Sequence, residues 1–326
     1  MVDIYFPESA RETHALVVIN NGSNNKGSGI PAEPTNFTEQ ELARIAVATR
    51  TVVISVSNVP NQVLNYQGMA KPLAEDDSVA YSWKLFAGAP EKYRNVSLHI
   101  PMAASVSQAF RLAKQELIPQ KISRFMVTGA SKRGWAAWLT ALSDPEVDAV
   151  VPFVMDLLET QKSLRHMYQS YGKNWPLAFY PYYQQGIDQQ IDTDVFTSLM
   201  TLEDPLAYLN TDMGNRLAIE KYIINASGDD FYVPDNSHFY YDRLPGEKSL
   251  RVVPNSTHNG ILSVAESSLI TFVNRFRNKQ RLPEISESLQ PGRDGKPQLT
   301  VTFTEKPTTL LQWTASNPAA RGLRYA

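Results

Sequence analysis

The chain contains no cysteine in its 326 residues. That excludes thiol nucleophiles, disulfides and thiolate metal sites together, and leaves the redox compartment open. No run of about 18 apolar residues is present, the length a helix needs to cross a bilayer. The opening MVDIYFPESARETH lacks a basic start followed by an apolar core, so no signal peptide is visible. The expectation is a soluble protein, exported to the periplasm or medium if a native leader has been removed and cytoplasmic otherwise. An excess of one charge is also missing: the net charge is −2 and the pI about 6.2, which gives no reason to expect nucleic acid or an anionic membrane as partner. Histidine is scarce, with five residues, and no pair has ligand spacing, so neither a metal nor another cofactor is expected.

What is present is a well-patterned globular chain, 43% hydrophobic and 20% charged, long enough for one large domain with an appendage. Residues 15–20, 51–56, 125–127, 149–154, 222–226 and 250–254 are short apolar runs that read as buried strands. Between them lie helical patterns at about 38–46, 75–86, 100–117, 135–142, 236–244 and 261–276. Alternation of strand and helix predicts a mostly parallel sheet flanked by helices.

The alternation breaks at about 157–215, where Trp175, Phe179, Tyr180, Tyr182 and Tyr183 crowd among prolines and glutamines. This stretch reads as a cap insertion whose aromatics either line a substrate pocket or form the cap's own core. The main domain is expected over 1–285. Past the Gly/Pro-rich stretch 290–297, residues 299–303 and 310–313 read as strands of a short β appendage over 286–326, a candidate remnant of a larger β-sandwich.

The stretch that carries chemistry is Val127-Thr128-Gly129-Ala130-Ser131-Lys132-Arg133-Gly134-Trp135, in the order strand, tight turn, helix. A serine in such a turn stands at the mouth of the sheet beside the first N–H groups of the helix, as an acyl-transfer nucleophile requires. The spacing is G-x-S-x-x-G, one residue longer than the usual nucleophile elbow. A dinucleotide-binding reading fails because Arg133 and Trp135 occupy glycine positions and no Tyr-x-x-x-Lys follows. A plain helix-capping serine is the alternative.

Partners for Ser131 come from later strand ends. His258 sits in the loop Asn255-Ser256-Thr257-His258-Asn259-Gly260, whereas the other four histidines lie before the first strand or in or beside helical stretches. Asp230, four residues before Pro234 and just past a strand, is the favoured acid, with Asp229 and Asp156 as alternatives. A serine hydroxyl needs a base to take its proton, and the base needs an acid to hold its tautomer. An oxyanion hole is expected from the N–H of Lys132 and from the loop around Gly22 and Ser23. The side chains of Lys132 and Arg133 either attract an acidic substrate or are solvated.

The strings Asn61–Leu64, Glu75–Trp83, Val127–Trp135, Asp204-Pro205 and Tyr222–Phe231 together resemble the PhoPQ-activated pathogenicity-related protein family. The resemblance implies an α/β-hydrolase fold with a Ser/acid/His site on Ser131, Asp230 and His258. The elbow is more distantly similar to that of glucuronoyl esterases. Relatives carry Gly-Asp-Glu-Phe where this chain has Gly-Asp-Asp-Phe, so an acid is kept at Asp230 while Asp229 matches unchanged. Family members usually begin with a leader and extend further at the C-terminus. The expected function is a serine hydrolase for a small acyl substrate, with esters first and peptides or amides second. The competing reading is a catalytically weak or inactive hydrolase-fold protein that binds or signals in virulence or envelope stress.

Overall fold

A computed structural model describes residues 1–10, 13–21, 36–60 and 63–314. Its first elements are β1 (Val2–Tyr5), β2 (His14–Ile19), α1 (Glu39–Thr49), β3 (Val52–Val56), α2 (Glu75–Gly88) and α3 (His99–Glu116). Then come β4 (Arg124–Ala130), α4 (Lys132–Ser143) and β5 (Val147–Phe153). A helical segment holds α5 (Thr160–Ser170), α6 (Tyr180–Gln184) and α7 (Asp194–Glu203), and β6 (Glu220–Ala226), β7 (Lys248–Val253) and α8 (Ala265–Arg277) complete the body.

Seven strands form one sheet in the order β1-β3-β2-β4-β5-β6-β7. All neighbours are parallel except β1, which runs antiparallel along β3. The expected, mostly parallel sheet with helices on both faces is therefore present. β1 escapes the sequence pattern because VDIY is short and only half-buried at the sheet edge.

The continuous apolar strands are explained by burial on both faces. Val17, Ile19 and Val127 point into a core shared with Trp83, Phe110 and Trp138 of α2, α3 and α4. Leu16, Val18 and Met126 point the other way, onto Leu42 and Ile45 of α1 and Leu269 and Phe272 of α8. Thr38 and Glu41 cap α1 reciprocally, satisfying two N–H groups that the helix leaves orphaned.

The stretch expected as an insertion is the helical segment between β5 and β6. Its aromatics divide. Trp175, Phe179 and Tyr182 stack at 4.2 and 5.2 Å and continue onto Trp83 at 5.3 Å, forming a core, whereas Leu177, Tyr180 and Tyr183 face solvent. Asp204, buried at the end of α7, accepts hydrogen bonds from the N–H groups of Thr160 (2.7 Å) and Leu206 (2.9 Å), and burial pushes its carboxyl up to about 6.

Two expectations need correction. Residues 236–244 form two 3-10 turns, Asn236–Phe239 and Tyr241–Arg243, in place of one helix. The C-terminal strand pair is β8 (Ile285–Pro291) with β9 (Pro297–Phe303), closed by the Gly292 N–H on the Lys296 carbonyl at 2.7 Å, and residues 310–313 are not a strand. The Gly/Pro-rich stretch is thus the hairpin's turn. It pairs β9 with the polar run before it, which lacks the apolar signature of a strand. Residues 315–326 of the expected appendage lie outside the described residues. No helix among the described residues is long and apolar enough to cross a membrane.

Candidate active site

Ser131 joins the C-terminal end of the central strand β4 to the start of α4 with φ 56° and ψ −126°. A non-glycine residue is strained there, and such strain persists only where the surroundings enforce it. They do so here through two hydrogen bonds: the Ser131 N–H donates to the Phe153 carbonyl at 2.8 Å, and its own carbonyl accepts from the Trp135 N–H at 3.0 Å. The serine offers no side-chain cap to α4, so the plain capping role is not what is seen.

The two glycines explain why the longer G-x-S-x-x-G spacing still makes a sharp turn. A Cβ on Gly129 would meet the Arg133 carbonyl oxygen at 2.6 Å, and one on Gly134 would lie 3.1 Å from both the Gly129 oxygen and the Met155 Cβ. The first turn of α4 therefore lies directly on the strand end, and side chains at either position would push it away.

His258 follows β7. Its Nδ1 lies 3.0 Å from Oδ1 and 2.9 Å from Oδ2 of Asp229, which follows β6. Asp229 is buried, and its Oδ1 also accepts the N–H groups of Phe231 (2.8 Å) and Tyr232 (3.0 Å). The favoured acid, Asp230, is exposed on the same loop. The carboxylate that meets the ring is the alternative, Asp229, because the loop turns inward at that residue and folds its own N–H groups over the carboxylate. The Gly228 N–H donates to the Ser256 carbonyl at 2.8 Å, tying the two loops together.

Asp156, the other alternative, is buried against the Tyr240 hydroxyl at 2.7 Å. Burial raises its carboxyl well above the usual range and the Asp229 charge adds to that, against the Tyr240 hydrogen bond. A rise in this direction works against the negative charge that an imidazolium needs opposite it. The remaining histidines have other partners: His14 meets Asp148, His166 meets Asp235, His238 meets the Asp235 carbonyl, and His99 meets Glu203.

The backbone of Lys132 directly follows the nucleophile candidate, at the first position of α4. Gly22 and Ser23, the other expected oxyanion residues, lie outside the described residues. The side chains of Lys132 and Arg133 are neither solvated nor free for substrate. The ammonium of Lys132 lies 2.8 Å from Glu75 and 2.9 Å from Asp76, and Arg133 lies 2.6 Å from Glu75. Burial raises both carboxyls, but Lys132 and Arg133 outweigh it at Glu75, and Lys132 with the Tyr182 hydrogen bond outweighs it at Asp76, holding both below their ordinary values; Lys132, lowered by burial, is raised by its two carboxylates. The Tyr182 hydroxyl donates to Asp76 at 3.1 Å, bringing the helical segment between β5 and β6 onto this cluster.

Residue-type reasoning did not single out two groups. Tyr232, 3% exposed, donates its N–H to Asp229 at 3.0 Å and has its ring 5.6 Å from that of His258. Its signal was its position in the acid loop. Glu203, fully buried at the end of α7, holds His99 Nδ1 at 2.5 Å and accepts the Ser97 hydroxyl, while its backbone oxygen takes the Trp135 indole N–H at 2.5 Å. Nothing in the local pattern marks that contact, since its members are over 60 residues apart in the chain. Among the described residues no group of three or more His, Cys, Asp or Glu is arranged to hold a metal ion.

Solved α/β-hydrolase structures share this architecture. An acetyl xylan esterase from Paenibacillus sp. R4 matches with a TM-score of 0.51 at 15% identity, over 82% of this chain and 75% of that one. The AtxE2 isopeptidase matches with a TM-score of 0.52 at 16% identity, over 90% of this chain and 39% of that one. Among curated proteins, autocrine proliferation repressor protein A of Dictyostelium discoideum is 27% identical over 299 residues, 90% of this chain. The chain spans 58% of that relative's length. At this level of identity the solved structures establish the fold, an α/β-hydrolase fold. Residues 1–324 match the model of the PhoPQ-activated pathogenicity-related protein family, and the chain belongs to that family.

Proposed function

We propose that this protein is a serine hydrolase acting on esters through an acyl-enzyme, with Ser131 as nucleophile, His258 as general base and Asp229 as orienting acid. The observation that carries the reading is the Asp229–His258 pair at the same sheet edge as a serine held in a strained elbow. A carboxylate on Nδ1 fixes the proton there and leaves Nε2 as the basic nitrogen. In the reaction, Nε2 takes the Ser131 hydroxyl proton as Oγ attacks the carbonyl carbon. His258 then returns that proton to the leaving alkoxide, and water repeats the cycle on the acyl-enzyme. The Lys132 N–H, at the start of α4, is oriented by the helix toward the developing oxyanion. Amides are the second substrate class for the same residues.

The experiment is labelling with a fluorophosphonate probe and mass spectrometry of the modified peptide, on wild type, Ser131→Ala and His258→Ala. Modification at Ser131 that needs His258 supports the reading and directs a screen of short-chain esters. A folded wild type that stays unlabelled at high probe concentration overturns it. The alternative, a hydrolase-fold protein that signals by binding, then takes its place; it is favoured by the name of the Dictyostelium relative, a repressor of proliferation.

A further inference from the structure

Glu75 is the first residue of α2, and its backbone takes φ 48°, where an L side chain is strained. The chain reaches it from Leu73, which exchanges two backbone hydrogen bonds of 2.8 Å with Leu64. A glycine would adopt that φ at little cost. A glutamate in its place is explained by what its carboxylate reaches: two consecutive residues of α4, Lys132 at 2.8 Å and Arg133 at 2.6 Å. Both cationic side chains are buried, 9% and 4% exposed, so water screens these contacts less than it would at the surface.

Lys132 and Arg133 directly follow Ser131. Successive helical residues point about 100° apart, so one anchor that holds both fixes the roll of the first turn of α4 about its axis. The Trp135 N–H closes that turn onto the Ser131 carbonyl at 3.0 Å. Asp76 adds a second hold on Lys132 at 2.9 Å. We propose that Glu75 is a positioning residue: by holding Lys132 and Arg133 together it aims the Lys132 N–H at the carbonyl oxygen that becomes negative on attack. The inference rests on the reading of Ser131 as nucleophile and of that N–H as an oxyanion donor. Glu75 touches no reacting atom and exchanges no proton. A donor stabilises the developing charge well when it is already in place before the charge appears, and a turn freed from its anchor loses that preorganisation.

The test compares wild type with Glu75→Gln, which keeps the shape, accepts from one cation and turns its NH2 on the other. Competent serines are first counted from the p-nitrophenolate released stoichiometrically by diethyl p-nitrophenyl phosphate, and kcat on p-nitrophenyl acetate is expressed per counted site. It is expected to fall by about 10–100-fold with KM within about twofold. Affinity for a trifluoromethyl ketone, which forms a tetrahedral adduct, should fall in parallel. Should Glu75→Gln fail to fold, Glu75→Asp keeps the charge but is one methylene too short to span both cations, and a smaller fall in kcat per site is expected. Fewer sites at an unchanged kcat per site mark a structural role and overturn the inference, as does failure of both variants to fold. In either case wild-type labelling at Ser131 leaves the triad standing. A wild type that does not label at Ser131 overturns both.

Discussion

Both carboxylate oxygens of Asp229 lie within 3.0 Å of Nδ1 of His258. The same carboxylate is hydrogen-bonded by two N–H groups of its own loop, so the acid cannot leave the ring without unmaking the loop.

Asp229→Asn is therefore expected to lower kcat/KM by about 10³–10⁴-fold, through loss of the tautomer and of the charge opposite the imidazolium. Asp230→Asn, at an exposed position, should stay within about twofold. Steady-state kinetics on one activated ester distinguishes them, and the reverse order would return the acid role to Asp230.

Gly129→Ala should strain the elbow, because the added methyl meets the Arg133 carbonyl carbon and oxygen, which belong to the helix backbone and cannot step aside. Overpacking of this kind destabilises by about 1–3 kcal/mol. Urea unfolding reads the loss, and a midpoint equal to wild type would mean that α4 can shift freely.

Lys132→Met leaves Asp76, 27% exposed, with the Tyr182 hydroxyl but without its cation, and a loss of about 1–3 kcal/mol is expected for a pair buried on one side only. The same cluster sets an acid limit. Glu75 and Asp76 titrate below their unfolded values of 4.5 and 3.8, so their contribution is complete above those values and drains away as pH falls through the lower folded ones. Thermal melts from pH 6 to pH 3 should show wild type losing stability more steeply than Lys132→Met.

Asp204 works in the opposite direction. Its folded value of about 6 lies above the unfolded 3.8, so the stability it contributes is full below 3.8 and lost as pH rises past 6, a change of about 3 kcal/mol. Asp204→Asn abolishes that titration. The stability difference between wild type and Asp204→Asn, from urea unfolding at a series of pH values, should therefore move against wild type between pH 4 and pH 7.

The fold was largely legible because strands buried on both faces must be continuously apolar, and Leu16, Val17 and Val18 announce such a strand without ambiguity. Ser131 was legible from the glycines around it, and His258 from its place in a loop past a strand. The choice between Asp229 and Asp230 was not. Adjacent residues on a loop point in different directions, and which one turns inward is decided by hydrogen bonds from Phe231 and Tyr232 that no spacing encodes. Lys132 and Arg133 invited a substrate-binding reading for a similar reason: their partners Glu75 and Asp76 are more than 50 residues away in the chain. The polar β8 was invisible because its residues are exposed on both sides and obey no burial pattern.

The tie at Glu203 bears on how substrate reaches Ser131. The buried carboxylate of Glu203 clasps α3 through His99, and the backbone oxygen of the same residue clasps α4 through Trp135, one helical turn beyond Ser131. Tyr182 fastens the same helical segment to Asp76 on α2. A segment riveted to three helices of the body does not swing as a door. A ligand of the proposed site would then come and go past a fixed rim, with no gate to open.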